Sequence, residues 1–264
     1  MKTILETKEL SFSFPSKKEV LREISISVGE GELVLLCGEN GSGKSLLLRA
    51  LKGLLSPIKG TISIEGRDLS RQIKERNRAI GLVFQDAETQ MVGQSVERDL
   101  RFGLENLKIE LNEQNRRVEE VAQLLNLSHL LKERPRSLSG GEQRRVAIGG
   151  VLIMEPKILL LDEPFANLDW EGIKQVLASL ASLKESGVTI VVATHEIEKI
   201  FSLSDSLILL ERGEVVAQGS PLALLEVVER YGVRRPTLEE IASWSNWTFS
   251  TTTSETLSST KPTQ

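Results

Sequence analysis

Cysteine is almost missing from this chain: Cys37 is the single thiol among 264 residues. No intramolecular disulfide can form, and a cysteine-rich metal site is excluded. Such usage fits a reducing compartment. Aromatics are scarce at 4%, so the core is expected to consist mostly of Leu, Ile and Val. Positive charge has no surplus either, since 33 Lys and Arg against 37 Asp and Glu leave a net charge of −4. That balance argues against a dedicated nucleic-acid binder, which usually carries a basic excess. Long hydrophobic runs are absent. The opening MKTILETKEL lacks the apolar centre of a signal peptide, and runs such as VTIVVATH at 188–195 are too short to cross a bilayer. Any service to a membrane is expected from the water side.

What is present describes an ordinary globular composition, with 40% hydrophobic and 27% charged residues. The length suits one large domain or one domain with an inserted subdomain. Partial alternation in TILETKELSFSF and EVLREISISV predicts strands, and the turn VGEGE leads into a short buried strand, LVLLC. After a glycine-rich loop, KSLLLRALKGLL has helical leucine spacing. GTISIEGRDL and AIGLVFQ read as further strands. From about 95 to 140 the pattern turns helical. Asn112 is a candidate cap for EQNRRVEEVAQLLNL, with Val118, Val121, Leu124 and Leu125 on one face. KILLLDEP, GIKQVLASLASLKESG, VTIVVATH and SLILLERGEVVAQG then resume strand–helix alternation. Continuous apolar runs between helices predict a parallel sheet covered on both faces. A helical extension is expected over 233–247, and the Ser/Thr-rich 248–264 reads as a disordered tail.

GENGSGKS at 38–45 fits G-x-x-x-x-G-K-[ST], with a buried strand before it and a helix after it. Gly38, Gly41 and Gly43 let backbone N–H groups turn inward around an anion, and the helix start adds its positive end. Glu39, Asn40 and Ser42 complete the loop. Lys44 is expected to reach the β- and γ-phosphates of a nucleotide, and the Ser45 hydroxyl to take a Mg²⁺ position. Cys37 abuts the loop and reads as a small residue filling the strand end rather than a redox centre. The loop resembles that of P-loop NTPases, and this resemblance implies an α/β fold with a RecA-like, mostly parallel sheet, an N-terminal antiparallel β region and an inserted α-helical subdomain.

ILLLDEP at 158–164 sets two carboxylates at a strand end. Strand neighbours point to opposite faces, so Asp162 and Glu163 are expected to differ in role. One would serve the Mg²⁺ shell, and the other would orient or deprotonate an attacking water. His195 closes another apolar strand at the same sheet edge, where such folds bind ligands, and is expected to contact the γ-phosphate.

LSGGEQRR at 138–145 is a second anion-binding design, with a serine and paired glycines opening a helix. With it the chain resembles the ATP-binding cassette (ABC) ATPases, whose signature reads LSGGQ or LSGGE, over about residues 3–232. The resemblance implies ATP and Mg²⁺ as ligands and a head-to-tail dimer. In that dimer Leu138, Ser139, Gly140, Gly141 and Glu142 close over the partner's ATP. It further implies Phe14 stacking on adenine, Gln85 contacting Mg²⁺ and water, and Asp162 in the Mg²⁺ shell. Glu163 becomes the catalytic glutamate, His195 the switch histidine and Asp169 the aspartate of the dimer-interface loop. Leu46 departs from the Thr common after GKS, while Phe165 and Asn167 stand where Thr and Gly are frequent.

FQDAETQMVGQSVERDLRFGLENL resembles the corresponding pattern of energy-coupling-factor (ECF) and cobalt, nickel and biotin importer ATPases. Gln85, Gln90, Val96, Asp99, Phe102 and Gly103 hold its positions, with Ala87, Val92 and Ser95 substituting for Pro, Phe and Thr. RYGVRRPTLEEIA also resembles that group's C-terminal segment. The implied function is ATP hydrolysis at the cytoplasmic face of a membrane, energising an importer of a vitamin or metal ion. Gln85, Gln90 and Asp99 would couple the site to transmembrane subunits lodged in a groove near Gln85. The pairing is a homodimer or a heterodimer with a related ATPase. The alternative is a soluble ABC ATPase assisting cofactor or iron–sulfur cluster assembly.

Overall fold

The computed structural model describes residues 2–14 and 19–245. Its centre is a sheet of six strands in the order β10-β9-β3-β8-β7-β6. These are β3 (Leu33–Cys37), β6 (Ile80–Val83), β7 (Ile158–Asp162), β8 (Thr189–Ala193), β9 (Ser206–Glu211) and β10 (Glu214–Gly219). All neighbours are parallel except the β9–β10 hairpin. Every residue of β3, β7 and β8 is buried, which is why their sequences run apolar without alternation. Successive residues still face opposite sides. Leu33, Leu35, Leu159, Leu161, Ile190 and Val192 join one core, while Val34, Leu36, Ile158, Leu160 and Val191 join the other.

The second core is closed by helix α1 (Lys44–Lys52) and by an antiparallel sheet of order β2-β1-β4-β5. Its strands are β1 (Thr3–Ser13), β2 (Glu19–Gly29), β4 (Lys59–Ile64) and β5 (Arg67–Asp68). A short helix, α2 (Ile73–Ala79), leads from it into β6.

The first core is closed by α3 (Val96–Asn106), α4 (Leu111–Leu124), α5 (Gly140–Leu152) and α6 (Trp170–Glu185). The cap of α4 is Glu110, whose carboxylate accepts from the Asn112 N–H at 3.1 Å. Asn112 therefore lies inside the first turn, not before it. Leu111 becomes the first helical residue because the acidic side chain just before it serves an early N–H of the helix. On the expected face Val118, Val121 and Leu125 are buried together with Ala122, whereas Leu124 is 36% exposed. Gly149 lets α5 approach this layer, since a Cβ there would stand 2.9 Å from Leu100 Cδ2 and 3.2 Å from Val121 Cγ1.

A short helix, α7 (Ile197–Ile200), lies between β8 and β9, and another, α8 (Pro221–Leu224), follows β10. A 3₁₀ turn at Val228–Tyr231 comes next, and then a helix over 238–245, within the stretch 233–247 where a helical extension is expected from sequence. Trp244 is buried, with its ring 4.3 Å from that of Trp170 at the start of α6. The segment read as a tail, 248–264, lies outside the described residues.

α5 is buried on nearly all sides and carries two arginines inside. The Arg145 guanidinium donates to the carbonyls of Leu125 and Asn126, both at 2.9 Å, and to Gln175 Oε1 at 3.0 Å. It thus serves the carbonyls at the end of α4 and ties α4 to α6 through α5. Arg145→Met is expected to lower unfolding free energy by about 2–3 kcal/mol, the scale of a buried charge-assisted bond left with unmatched acceptors. A urea midpoint unchanged from the parent chain would contradict this role.

Candidate functional site

The loop at 38–45 joins β3 to α1, and its backbone needs glycine where it turns most sharply. Gly38 has φ +150, and a Cβ there would meet the Leu210 carbonyl oxygen at 2.1 Å. Gly43 has φ +109 and precedes α1 with no side chain capping the helix N–H groups. Those donors face the loop as an anion-binding end. Buried Lys44 donates through Nζ to the carbonyls of Gly38 at 2.9 Å and Glu39 at 3.2 Å. The ammonium therefore sits across the mouth of the loop. Glu39, Asn40 and Gly41 are exposed, whereas the buried Ser42 Oγ has no hydrogen-bond partner among the described residues. Leu46 packs against the core shared with the antiparallel sheet, so its position is an apolar one.

Ser45 Oγ donates to Asp162 Oδ1 at 2.8 Å, bridging α1 to the end of β7. Burial pushes the Asp162 carboxyl above its ordinary pKa; the Ser45 hydrogen bond opposes that shift and the Glu163 charge adds to it. Glu163 is also buried and lies 3.9 Å from Lys44 Nζ. Its carboxylate meets His195 Nδ1 at 3.0 and 3.1 Å. Strand alternation does not separate the two acids. β7 ends at Asp162, and Glu163 takes a left-handed conformation with φ +45. Its N–H donates to the Ala193 carbonyl at 2.8 Å. Both carboxylates consequently face the phosphate loop, one against Ser45 and one against Lys44 and His195. A non-glycine residue held at positive φ stores strain of order 1–3 kcal/mol, typical of functional sites.

Lys44, Ser45, Asp162, Glu163 and His195 form one connected group. Phe14 is 39% exposed just beyond β1, and its described ring contact is an edge-to-face one with Phe12 at 5.1 Å. A second group lies at the starts of α5 and α6. Ser139 caps α5 in a full capping box, where Glu142 Oε2 accepts from the Ser139 N–H at 2.7 Å and from its Oγ at 2.8 Å. The S-x-x-E spacing at 139–142 signals this box in the sequence. Leu138 is half-buried and Gly140 exposed beside it. Gly141 packs on Gly172, where a Cβ would stand 2.6 Å from the Gly172 Cα. Asp169 in turn caps α6 by accepting from Gly172 N–H at 2.8 Å. Asn167 holds φ +61, a conformation Asn tolerates better than most residues in place of Gly. Phe165 is a buried core ring with Lys199 Nζ 5.9 Å from its centroid.

The loop after β6 is pinned from three directions. Gln90 Oε1 accepts from the Phe84 N–H at 2.8 Å, and its Nε2 donates to the Leu82 carbonyl at 3.3 Å. Asp99, buried in the first turn of α3, accepts from the N–H groups of Val92 and Gly93, both at 2.7 Å. Arg144 of α5 donates to the carbonyls of Phe84 at 2.9 Å and Gln85 at 2.7 Å. Gln85 itself is exposed. Arg144 is a residue whose role the motif reading misses: it is the first arginine of the LSGGEQRR stretch, yet nothing in that stretch assigns it a contact with the loop after β6. Arg144→Lys keeps the charge but loses the two-pronged grip on the loop. The variant is expected to bind nucleotide within about threefold of the parent and to hydrolyse it at least about tenfold more slowly, because a small misplacement of a reacting group costs more in rate than in binding. Stopped-flow binding with steady-state phosphate release separates the two effects, and equal losses in both would contradict the assignment.

The model of the ABC transporter family matches residues 21–166. The chain is 37% identical over 230 residues to the energy-coupling factor transporter ATP-binding protein EcfA1 of Latilactobacillus sakei, covering 86% of this chain and 82% of that one. It is 36% identical over 248 residues to EcfA2 of Methanospirillum hungatei, where it spans 92% of its own length and 62% of that protein's. Among solved structures, cbiO1 from Clostridium perfringens, described as part of the ABC transporter complex cbiONQ, superposes with a TM-score of 0.80 at 33% identity. That match covers 93% of this chain and all of the other. With a phosphate loop, paired acids and a histidine at one sheet edge, the chain belongs to the ABC transporter family as an ATP-binding ATPase.

Proposed function

We propose that this ATPase energises an ECF-type importer of a vitamin or metal ion from the cytoplasmic face of its membrane. The observation that carries the reading is the connected group Lys44, Ser45, Asp162, Glu163 and His195. The names of the relatives, energy-coupling factor transporter ATP-binding proteins, support the importer class. Among the described residues, no helix is long and apolar enough to cross a membrane. Membrane attachment would therefore run through separate transmembrane subunits.

In this reading the loop N–H groups and Lys44 bind the ATP phosphates, and Phe14 stacks on the adenine. The Ser45 hydroxyl and Asp162 carboxylate, 2.8 Å apart, are hard oxygen donors of the kind Mg²⁺ takes, with the Gln85 amide as a third. Mg²⁺ bound there would neutralise charge on the phosphates. Glu163 orients and deprotonates the attacking water. His195, through its bond to Glu163, holds that carboxylate in place and reaches toward the γ-phosphate. Leu138–Glu142 and Asp169 act across a dimer, on nucleotide held by a second copy or a related ATPase. Gln85, Gln90 and Asp99 carry the state of the site outward. The latter two do so from inside, by fixing the loop that meets the membrane subunits.

Glu163→Gln is expected to retain ATP binding and to lose at least about a hundredfold in turnover, the span of general-base catalysis; wild-type turnover would remove Glu163 from this role. Asp99→Ala and Gln90→Ala release backbone donors of the loop, so substrate uptake in reconstituted vesicles is expected to fall further than ATP hydrolysis. Equal loss of both would count against coupling through these side chains. Pull-down of the tagged chain from detergent extracts is expected to recover integral membrane proteins. Recovery of soluble scaffold proteins alone would favour the cofactor-assembly reading instead.

A further inference from the structure

β6 is the edge strand of the six-stranded sheet, and a cleft of about 510 Å³ opens beside its start. Ala79 and Lys157, which precede β6 and β7, line it. The phosphate loop leaves the sheet at the end of β3, so the cleft and the nucleotide group lie at opposite edges. The apolar lining comes from both sides of the sheet. Ile64 and Leu69 belong to the antiparallel layer, and Leu107, Ile109 and Met154 to the helical layer. Leu107 is 43% exposed, so part of this lining is open to solvent. Four cationic side chains and three carboxylates share the cleft. Three pairs cancel: Arg67 meets Glu75 at 2.8 Å, Arg117 meets Glu155 at 3.0 Å, and Lys157 meets Glu65. Arg78 is left over. It is exposed and, among the described residues, has neither an ion pair nor a hydrogen bond. Nor does it serve the end of its own helix, because Lys52 Nζ already donates to the carbonyls of Asn77 at 2.7 Å and Ile80 at 2.6 Å.

We propose that this cleft is a second ligand site, for a small amphipathic monocarboxylate whose charge pairs with Arg78 and whose aliphatic body lies on Leu107, Ile109 and Met154. The volume is in the range of small-molecule pockets, which are mostly apolar with a few polar groups that fix orientation. A free guanidinium offers a planar fork that matches a carboxylate with two parallel hydrogen bonds. One unanswered cation sets the ligand's charge at one. A second negative charge would face Glu65, Glu75 and Glu155 with no cation left to meet it, so polyanions such as nucleotides are rejected. Because its walls belong to the antiparallel layer and to the helical layer, an occupant holds those layers together away from the nucleotide. The inference goes beyond the importer reading and does not depend on it.

The test titrates octanoate, octylammonium and octanol, which share one chain and differ in charge, into the full protein by isothermal titration calorimetry. Octanoate is expected to bind at least about tenfold more tightly than either of the others. Hexanoate is expected to bind more weakly than octanoate, by about fourfold for each methylene removed. Arg78→Glu is expected to invert the preference toward octylammonium, a gain of binding that a misfolded chain cannot give. Leu107→Ser is expected to weaken octanoate at least about threefold while leaving the charge preference in place. Equal affinities for the three probes, or binding of none, would overturn the proposal. So would an octanoate preference that survives Arg78→Glu, because the carboxylate would then be held elsewhere. Vesicles containing anionic phospholipid are run in parallel. Vesicle binding that depends on Arg78, without saturable octanoate binding, would assign this arginine to a lipid surface and also overturn the proposal.

Discussion

The register of the buried parallel strands is the constraint on which the site depends. Leu36 of β3 and Asp162 of β7 both lie level with Ala193 of β8, and Val83 of β6 lies level with Leu161. The phosphate loop, the acid pair, His195 and the Gln85 loop thus leave the sheet along one edge. A slip of one residue in any strand would send its apolar side chains to the opposite core and move its functional residue off that edge. Burial of both faces makes such a slip costly. The cores that stabilise the fold therefore also fix where the chemistry sits.

Much of this was legible in the chain. LVLLC, KILLLDEP and VTIVVATH read as buried strands because every residue of the strands they contain is buried, and the glycine pattern at 38–45 states its own geometry. What escaped the sequence depends on single contacts. Glu110 rather than Asn112 caps α4 because either side chain can reach an early N–H, and only the backbone path decides. Leu124 and Leu125 are indistinguishable by type, yet the last turn of α4 exposes one and buries the other. Strand alternation does not reach Glu163, because β7 ends at Asp162 and Glu163 turns away from the strand in a left-handed conformation. Arg144 and Arg145 look like surface cations, and nothing in composition shows that loop carbonyls and helix ends await them.

Gln90, Asp99 and Arg144 change what the polar loop after β6 can do. A loop of exposed polar residues could drift, but this one is bonded to β6, to α3 and to α5. The Arg144 link is the most consequential, because α5 begins with the signature. Movement of the signature helix relative to the sheet would pull directly on the Phe84 and Gln85 carbonyls. One guanidinium thus ties two motifs far apart in sequence, and its planar fork does so with fixed geometry where a lysine could pivot.

Lys44 is a second cation that joins separate parts of the site. Its ammonium is shared among the Gly38 and Glu39 carbonyls and, more distantly, the Glu163 carboxylate. A phosphate is a stronger acceptor than a carbonyl, since charge-assisted hydrogen bonds are roughly twice as strong as neutral ones. Phosphate entering the loop would therefore draw Lys44 away from the carbonyls and weaken its hold on Glu163. The His195 bond would then hold the Glu163 carboxylate as the lysine turns to the nucleotide, while the Glu163 N–H bond to the Ala193 carbonyl holds its backbone. The two contacts to Glu163 would then not be redundant: one would be exchanged on binding, and the other would preserve the geometry that the exchange disturbs.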